Sequence, residues 1–513
     1  MSVEQMVDDL PQIEPLDEHN RVLVGNTHPT DWTNPQPADR YNMVVIGAGT
    51  AGLVTAAGAA GLGARVALIE RALMGGDCLN VGCVPSKALI RCSRAVADAR
   101  HAGAFGVEVE GDIQVDFGAV MKRMRRIRAA ISSHDSAARF RDLGVDVFIG
   151  PGRFAGPETI EVDGATLRFS RACIATGARA AVPPIDGLQE SGFLTNETVF
   201  SLTELPGRLA VLGAGPIGCE LAQAFSRFGS QVTVVEMGDQ ILGREDRDAA
   251  VRVHRALERD GVQFRLGARV VGVRRTGDGR TLRLELKDGT SEEIEVDQLL
   301  LSAGRAPNVE GLGLDEAGIE FDTKKGVQVD ERLRTTNRRV YAAGDVCFDY
   351  KFTHTADAMA RIVIQNALFF GRSRTSDLTI PWCTYTDPEI AHVGMYPRQA
   401  EEQGIEIDTY TIEFDSVDRA RLDGERDGLL KVHTKKGKDK IVGATLVARH
   451  AGEMISELTL AMVAGAGLGT IARTIHPYPT QAEAIKKAGD QYNRTRLSPR
   501  VKSIFDTIMR WRR

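Results

Sequence analysis

At 513 residues the chain is too long for one hydrophobic core, and at roughly 100–200 residues per domain it calls for three or four domains. Its 43% hydrophobic and 26% charged residues are those of an ordinary globular protein. Lys and Arg number 64 against 69 Asp and Glu, which excludes the bulk basic excess of a nucleic-acid-binding chain and points to small-molecule partners.

Residues 1–40 carry scattered acids and prolines in place of a basic segment followed by an apolar run, so they read as an N-terminal extension with no targeting signal. No uninterrupted apolar stretch of about 18 residues is present, and the expectation is a cytoplasmic protein without a membrane span. Seven unevenly placed cysteines do not make a secreted disulfide scaffold. Any disulfide here is expected to be chemical.

Ordered structure is predicted to start at Tyr41, where the strand MVVIG runs into Gly47-Ala-Gly49-Thr-Ala-Gly52 and an alanine-rich helix. The strand VALIE then ends on an acid, Glu70. The pattern recurs in LAVLGAGPIGCELAQAF, with Gly213, Gly215 and Gly218, followed by VTVVE ending on Glu236. In each unit the glycines allow a tight turn and close backbone approach, a pyrophosphate can sit on the helix N-terminus, and the carboxylate is placed for a ribose hydroxyl. One such cluster alone could be a sharp turn. Two complete units predict two bound dinucleotides.

Between them lies GGDCLNVGCVPSKALI, residues 75–90. Two cysteines five positions apart cannot bridge across a regular helix, so Gly75, Gly76 and Gly82 are expected to keep the first part irregular, with the helix beginning near Cys83 and Pro85 in its first turn. A helix N-terminus lowers a thiol pKa, and Lys87, four residues on, shares that face, so Cys83 suits a stable thiolate. Spacing alone leaves two unreactive buried thiols open. The position directly after a dinucleotide fingerprint favours a redox pair, Cys78 and Cys83. The other cysteines, Cys92, Cys173, Cys219, Cys347 and Cys383, sit singly in apolar or strand contexts and are expected to pack in the interior.

Further on, LLLSAGRAPN closes a sheet and RVYAAGDVC supplies a strand leading to Asp345. From Pro381 strand-like runs such as HVGMY and IVGATLVA alternate with helical EMISELTLAMVAGAG, a separate α+β domain. The tail RVKSIFDTIMRWRR is basic and mildly amphipathic, either solvated or packed in a dimer, with surface membrane contact as the other role.

Together these motifs resemble the flavin disulfide reductases, the class I pyridine nucleotide-disulfide oxidoreductases that include dihydrolipoamide dehydrogenase, glutathione reductase and mercuric reductase. The resemblance runs from Tyr41 to about Arg496, through both fingerprints, the ATG at Ala175–Gly177, the GRAPN at Gly304–Asn308 and the AAGD ending at Asp345. It implies an α/β fold with two Rossmann-like dinucleotide-binding domains and a C-terminal α+β dimerisation domain. FAD would take residues 41–182 and 308–380, NAD(P) residues 183–307, and the dimer residues 381–499, ahead of a basic tail at 500–513. By the same resemblance Cys78 exchanges with substrate, Cys83 faces the flavin, and Lys87 pairs with Glu220, for which a solvated role is the alternative. Asp345 and His354 would contact FAD, His354 having a packing role as its alternative, and Gly76, Gly152, Thr176, Gly177 and Gly304 would line the cofactors.

The motif HPYPTQAE, residues 476–483, aligns Pro479, Thr480 and Glu483 on a pattern in which a catalytic histidine is held by the glutamate. Tyr478 then takes the histidine's place, as in mercuric reductase, and a capping box from Thr480 to Glu483 is the alternative use of that acid. Against a mercury assignment, no cysteine follows Cys383 or precedes Cys78, and Phe193 falls where a second active-site tyrosine is expected. The resemblance thus implies a homodimer with shared sites, passing electrons from NAD(P)H, with NADH favoured by Glu236, through FAD to Cys78–Cys83 and on to a small disulfide or soft-metal acceptor. No resident metal is expected. Dihydrolipoamide dehydrogenase is the rival within the family, and a flavin-bound redox sensor the rival outside enzymology.

Overall fold

The computed structural model of the protein describes residues 13–513. The described chain divides into two compact units: 13–214, 224–237 and 263–378 in one, and 215–223, 238–262 and 379–513 in the other.

The first unit is built on the strand Tyr41–Ile46, which pairs in parallel with Val66–Glu70 on one side and Ala165–Ile174 on the other. From Met43 onward alternate residues enter two different cores: Met43 and Val45 pack with the helix Thr50–Gly61, while Val44 and Ile46, joined by Tyr41, pack with Phe154, Phe169 and Val340. Burial on both faces explains why this strand is apolar without alternation from Met43 to Ile46. Val145–Ile149 extends the sheet beyond Val66–Glu70, Val340–Ala342 adds in parallel to Ala165–Ile174, and two antiparallel strands complete seven. A second, four-stranded parallel sheet orders Gln263–Leu266, Gln231–Glu236, Arg208–Leu212 and Gln298–Leu301, so LLLSAG does close a sheet. A three-stranded antiparallel sheet spans residues 268–296.

In the second unit, five antiparallel strands run in the order Pro381–Thr384, Glu389–Gly394, Ile441–Ala448, Leu429–Lys435, Ile407–Glu413. The helices Ala451–Val463 and Glu483–Thr495 supply Ile455, Leu458, Ile485 and Ala488 to the core on this sheet. The mixed α/β architecture is that expected from sequence.

Ordered structure does not wait for Tyr41. The helix Glu18–Thr27 precedes it, with Asp17 as N-cap accepting from the backbone of His19 and Asn20 at 3.1 and 2.9 Å. Its sequence, EHNRVLVGNT, shows little apolar periodicity because polar tertiary contacts hold it: Asp17 meets Arg125 at 2.7 Å and Asn20 meets Arg128 at 2.8 Å, both on the helix Phe117–Ser132.

Candidate active site

Both fingerprints fold in the same way. Gly47 and Gly213 take left-handed φ values of +100° and +98°, and their N–H groups donate to Ile69 and Val235 at 2.8 and 2.9 Å. A Cβ on Gly47 would lie 2.4 Å from the carbonyl oxygen of Ala175, and one on Gly52 1.8 Å from that of Gly47, so neither position admits a side chain. The parallel register brings the terminal acids level with the turns: Glu70 accepts from Ala48 N at 2.7 Å and Ala72 N at 2.8 Å, and Glu236 accepts from Ala214 N at 2.8 Å. Burial raises the Glu70 carboxyl, opposed by those two donors. The helix Thr50–Gly61 starts on Gly49 with no side-chain cap, leaving its N-terminal amides for an anion. These features fit the pyrophosphate and ribose of a dinucleotide.

Gly76, φ +56°, packs its backbone on the first fingerprint, since a Cβ there would come 2.6 Å from Cα of Gly49. Gly152 packs beneath Ile69. Thr176 and Gly177 are locked to the GRAPN segment: Thr176 Oγ1 donates to Asn308 O at 2.7 Å, and Asn308 N donates to Gly177 O at 3.0 Å. Gly304, φ +114°, accepts from Ala181 N at 3.0 Å.

The redox segment departs from expectation in one respect. Residues 76–80 are not irregular but form a short helix, Gly76–Asn80, entered through left-handed Gly75 and ended at Val81 and Gly82. A Cβ on Gly82 would sit 2.7 Å from the carbonyl oxygen of Asp77, which is why the break needs glycine. The long helix Cys83–Arg100 begins where predicted, with Gly82 as N-cap and no side-chain cap. Cys78 is half-buried and Cys83 exposed. The Cys83 sulfur, and then burial, push the Cys78 thiol far above its usual range. A groove of about 400 Å³ beside Cys83 is lined by Val84, Lys87, Arg91 and, from the neighbouring helix, Arg123 and Ile127.

Four residues that sequence reasoning passed over hold this segment. Thr353 Oγ1, at the start of the helix Thr353–Leu368, lies 3.5 Å from Cys83 Sγ. Arg305 ion-pairs with Asp77, the residue before Cys78, donates to Ala178 O at 2.5 Å, and reaches Asp345 at 3.4 Å. Burial raises Asp345 against the pull of Arg305 and Lys351, and Glu197 is likewise raised by burial and by Asp77. Asp77 and Arg305 were visible inside motifs already singled out, as the neighbours of Cys78 and Gly304. Thr353 stands next to His354, whose ring stacks on Phe352 with 5.4 Å between centroids. Arg128, fully buried, donates to Asn80 O at 2.6 Å and to Asn20 Oδ1 at 2.8 Å, and Met74 N donates to Thr27 O at 3.1 Å, tying the N-terminal helix to the redox segment.

In the second unit Glu220 is buried and accepts from Tyr385 N at 2.8 Å, so a solvated role does not describe it. The Tyr478 ring is 71% exposed and its hydroxyl donates to Asp418 at 3.1 Å, a bond that raises the phenol further. His476 instead points inward, its Nε2 2.9 Å from Glu457. Glu483 opens the helix Glu483–Thr495, and its Oε2 is buried without a hydrogen-bond partner among the described residues. The capping box does not form: Ala482 is the N-cap and Thr480 Oγ1 donates to Pro477 O at 2.8 Å. Of the single cysteines, Cys173 and Cys219 are buried, with burial pushing Cys173 up to about 12, whereas Cys92, Cys347 and Cys383 are only partly covered. Cys347 and Cys383 pack partly buried against their cores, whereas Cys92 lies midway along the helix Cys83–Arg100, 3.6 Å from Arg123 Nη1.

Residues 41–360 match the family model for pyridine nucleotide-disulphide oxidoreductases, and residues 380–489 match that family's dimerisation domain. The chain belongs to this family. The family is FAD-dependent and uses NAD(P)H, and the dimerisation domain supports a homodimer. In keeping with that, Leu460, Val463 and Ile475 of this domain are 67%, 67% and 92% exposed. The chain is 34% identical to a mercuric reductase of Bacillus cereus over 87% of its own length and 71% of the relative's. It is also 34% identical to a dihydrolipoyl dehydrogenase of Thermus scotoductus over 88% and 97%. Among solved structures, the Cu(II) complex of an HOCl-induced flavoprotein disulfide reductase from Escherichia coli superposes with a TM-score of 0.78 at 30% identity, covering 87% of this chain and 98% of that one. No helix among the described residues is long and apolar enough to cross a membrane.

Proposed function

We propose that this oxidoreductase takes electrons from NADH into a redox-active Cys78–Cys83 disulfide and delivers them to a small acceptor bound through sulfur, a soft metal ion or a thiol adduct, in the manner of a mercuric reductase. The observation that carries the reading is the asymmetry of the pair: exposed Cys83 opens an uncapped helix, with Lys87 one turn on, while Cys78 sits half-buried in the short helix before it.

FAD, when bound, supplies the two-electron relay between the nicotinamide and the cysteine pair. Two electrons open the disulfide, Cys78 takes a proton, and the charge left on Cys83 is stabilised by the helix amides. Thr353 Oγ1 is within reach to hydrogen-bond that sulfur. Toward a disulfide acceptor, Cys78 loses its proton and attacks; the Cys78–Cys83 bond then reforms and the acceptor leaves as two thiols. Toward a soft metal ion, Cys78 loses its proton and both sulfurs ligate the ion; two electrons then pass to the metal as the Cys78–Cys83 disulfide reforms. Arg305 keeps Asp77, and with it Cys78, in place. Glu236 accepts the ribose 2′-hydroxyl of NADH and repels a 2′-phosphate.

The metal preference rests on Tyr478. A phenol near its ordinary pKa of about 10 is a poor proton shuttle at neutral pH, and its bond to Asp418 raises it further. A bulky disulfide needs that shuttle more than a thiol-bound metal does. In the homodimer the Tyr478 loop and Glu483 complete the site of the partner subunit, and the unpaired Glu483 oxygen supports such a role. The Cu(II) complex of the Escherichia coli relative is a precedent for metal in this family.

A second reading, dihydrolipoamide dehydrogenase, is favoured by one observation: His476, two residues from Tyr478, is paired with the half-exposed acid Glu457 at 2.9 Å. Steady-state turnover of lipoamide, oxidised glutathione, mercuric ion and cupric ion separates the two readings. The proposal expects slow lipoamide turnover and a metal rate that falls more in Tyr478→Phe than in His476→Ala. Fast lipoamide turnover that disappears in His476→Ala would return the protein to the dehydrogenase group.

A further inference from the structure

The helix Pro499–Trp511 lies beyond the matched dimerisation domain, which ends at residue 489, and it buries none of its residues. It is nevertheless not a polar helix. Ile504, Phe505, Ile508, Met509 and Trp511 are exposed by 58%, 48%, 39%, 53% and 87%. At about 100° per residue these five and Val501 share one arc of about 160°, the breadth of a face meant to be covered. Arg500 and Lys502 stand at the two edges of that arc, Asp506 and Arg510 lie on the opposite side, and Arg512, the C-cap, projects within the arc past the last helical residue. Residues 499–513 hold five basic residues and one acid, a net charge of +4 in a chain whose total is −5.

What covers such a face is decided by the edges. A second copy of the same helix would set cationic borders against cationic borders, and the one acid faces away from the arc. A surface of anionic lipid matches both parts: apolar side chains enter the acyl boundary, Arg500 and Lys502 reach outward to phosphates, and Trp511 takes the interfacial position that its ring favours. The helix has 13 residues and cannot span a bilayer, so it would lie in the membrane plane. Ser498 accepts from Val501 N at 3.4 Å and Pro499 occupies the first turn, so the helix is already framed before any surface is met.

We infer that residues 499–511 are an in-plane membrane anchor selective for anionic lipid, which holds the reductase reversibly at a bilayer surface. The inference rests on the exposed apolar arc and its cationic edges, and it stands whichever acceptor the active site uses.

The test is flotation of the full-length holoenzyme with vesicles of phosphatidylglycerol and phosphatidylcholine, against vesicles of phosphatidylcholine alone. Binding is expected to the anionic vesicles, to weaken with salt, and to fall by about tenfold or more in both Phe505→Asp and the double variant Arg500→Ala/Lys502→Ala. Flavin content and NADH turnover verify that each variant is folded, since the helix packs on no core. The inference is overturned if the holoenzyme does not float with anionic vesicles at low salt, or if both variants float as well as the parent. It is also overturned if Phe505→Asp changes the sedimenting mass of the protein while vesicle binding is unchanged, which would assign the face to a second copy of the chain.

Discussion

Arg128 donates to the backbone carbonyl of Asn80 at 2.6 Å, and the same guanidinium holds Asn20, so a helix outside the matched family region is tied to the redox segment through one buried cation. Its desolvation lowers the Arg128 pKa to about 10, which still leaves the group charged at neutral pH.

Replacing Arg128 by Met keeps much of the volume but strands the Asn80 carbonyl and the Asn20 amide oxygen in the interior. The expected loss is about 2–4 kcal/mol. Asn20→Ala removes one partner and should cost about 1–2 kcal/mol. Denaturant midpoints measure both, and equal, negligible shifts would mean that the N-terminal helix does not support the redox segment.

Acid stability should be governed in part by the dimerisation domain. His392 stacks on Tyr396, and burial lowers its pKa to about 3; burial also lowers His433 to about 4. Both are neutral when folded, whereas their unfolded counterparts titrate near 6.5. Between those values the unfolded state binds more protons, so the contribution is complete above about pH 6.5 and is lost as pH falls toward 4 and below. His392→Gln should flatten that decline between about pH 7 and about pH 5, read as the change in denaturant midpoint. An unchanged acid slope would show that the imidazole is not held neutral.

Coenzyme choice is expected to follow Glu236. Its Oε2 accepts from Ala214 N at 2.8 Å, which fixes the carboxylate at the end of its strand, level with the fingerprint turn. Glu236→Gln should narrow the preference for NADH over NADPH by about tenfold, since the repelled 2′-phosphate no longer meets a full charge. A clear NADPH preference in the unaltered enzyme contradicts the assignment.

The strands and turns were legible because parallel strands buried on both faces are written as apolar runs, and the fingerprint turns need glycine at fixed places. Gly47 and Gly52 have no room for a Cβ, so the motif and the geometry are one constraint. The start of the redox helix at Cys83 was legible for a similar reason. What could not be read were long-range polar partnerships. Arg128 and Asn20 are 108 positions apart, and Arg305 and Asp77 are 228 apart, so no local pattern signals either pair. The helix Glu18–Thr27 was missed on the same ground, because it is held by such pairs and has almost no apolar stripe. In the 476–483 motif sequence fixed the order of residues but not their directions: Tyr478 turns to Asp418 and His476 to Glu457.

The central claim is that the Cys78–Cys83 disulfide accepts the electrons and leaves the charge on Cys83. Its most direct test is anaerobic titration of the FAD-loaded protein with NADH, followed by absorbance and by thiol counting. The account predicts that the first equivalent of NADH, two electrons, exposes a new pair of thiol groups and produces a long-wavelength band from the Cys83 thiolate against oxidised flavin. That band should persist in Cys78→Ser, even without added NADH, and be absent in Cys83→Ser. A band unchanged in Cys83→Ser, or bleaching of the flavin with no new thiols, would contradict it.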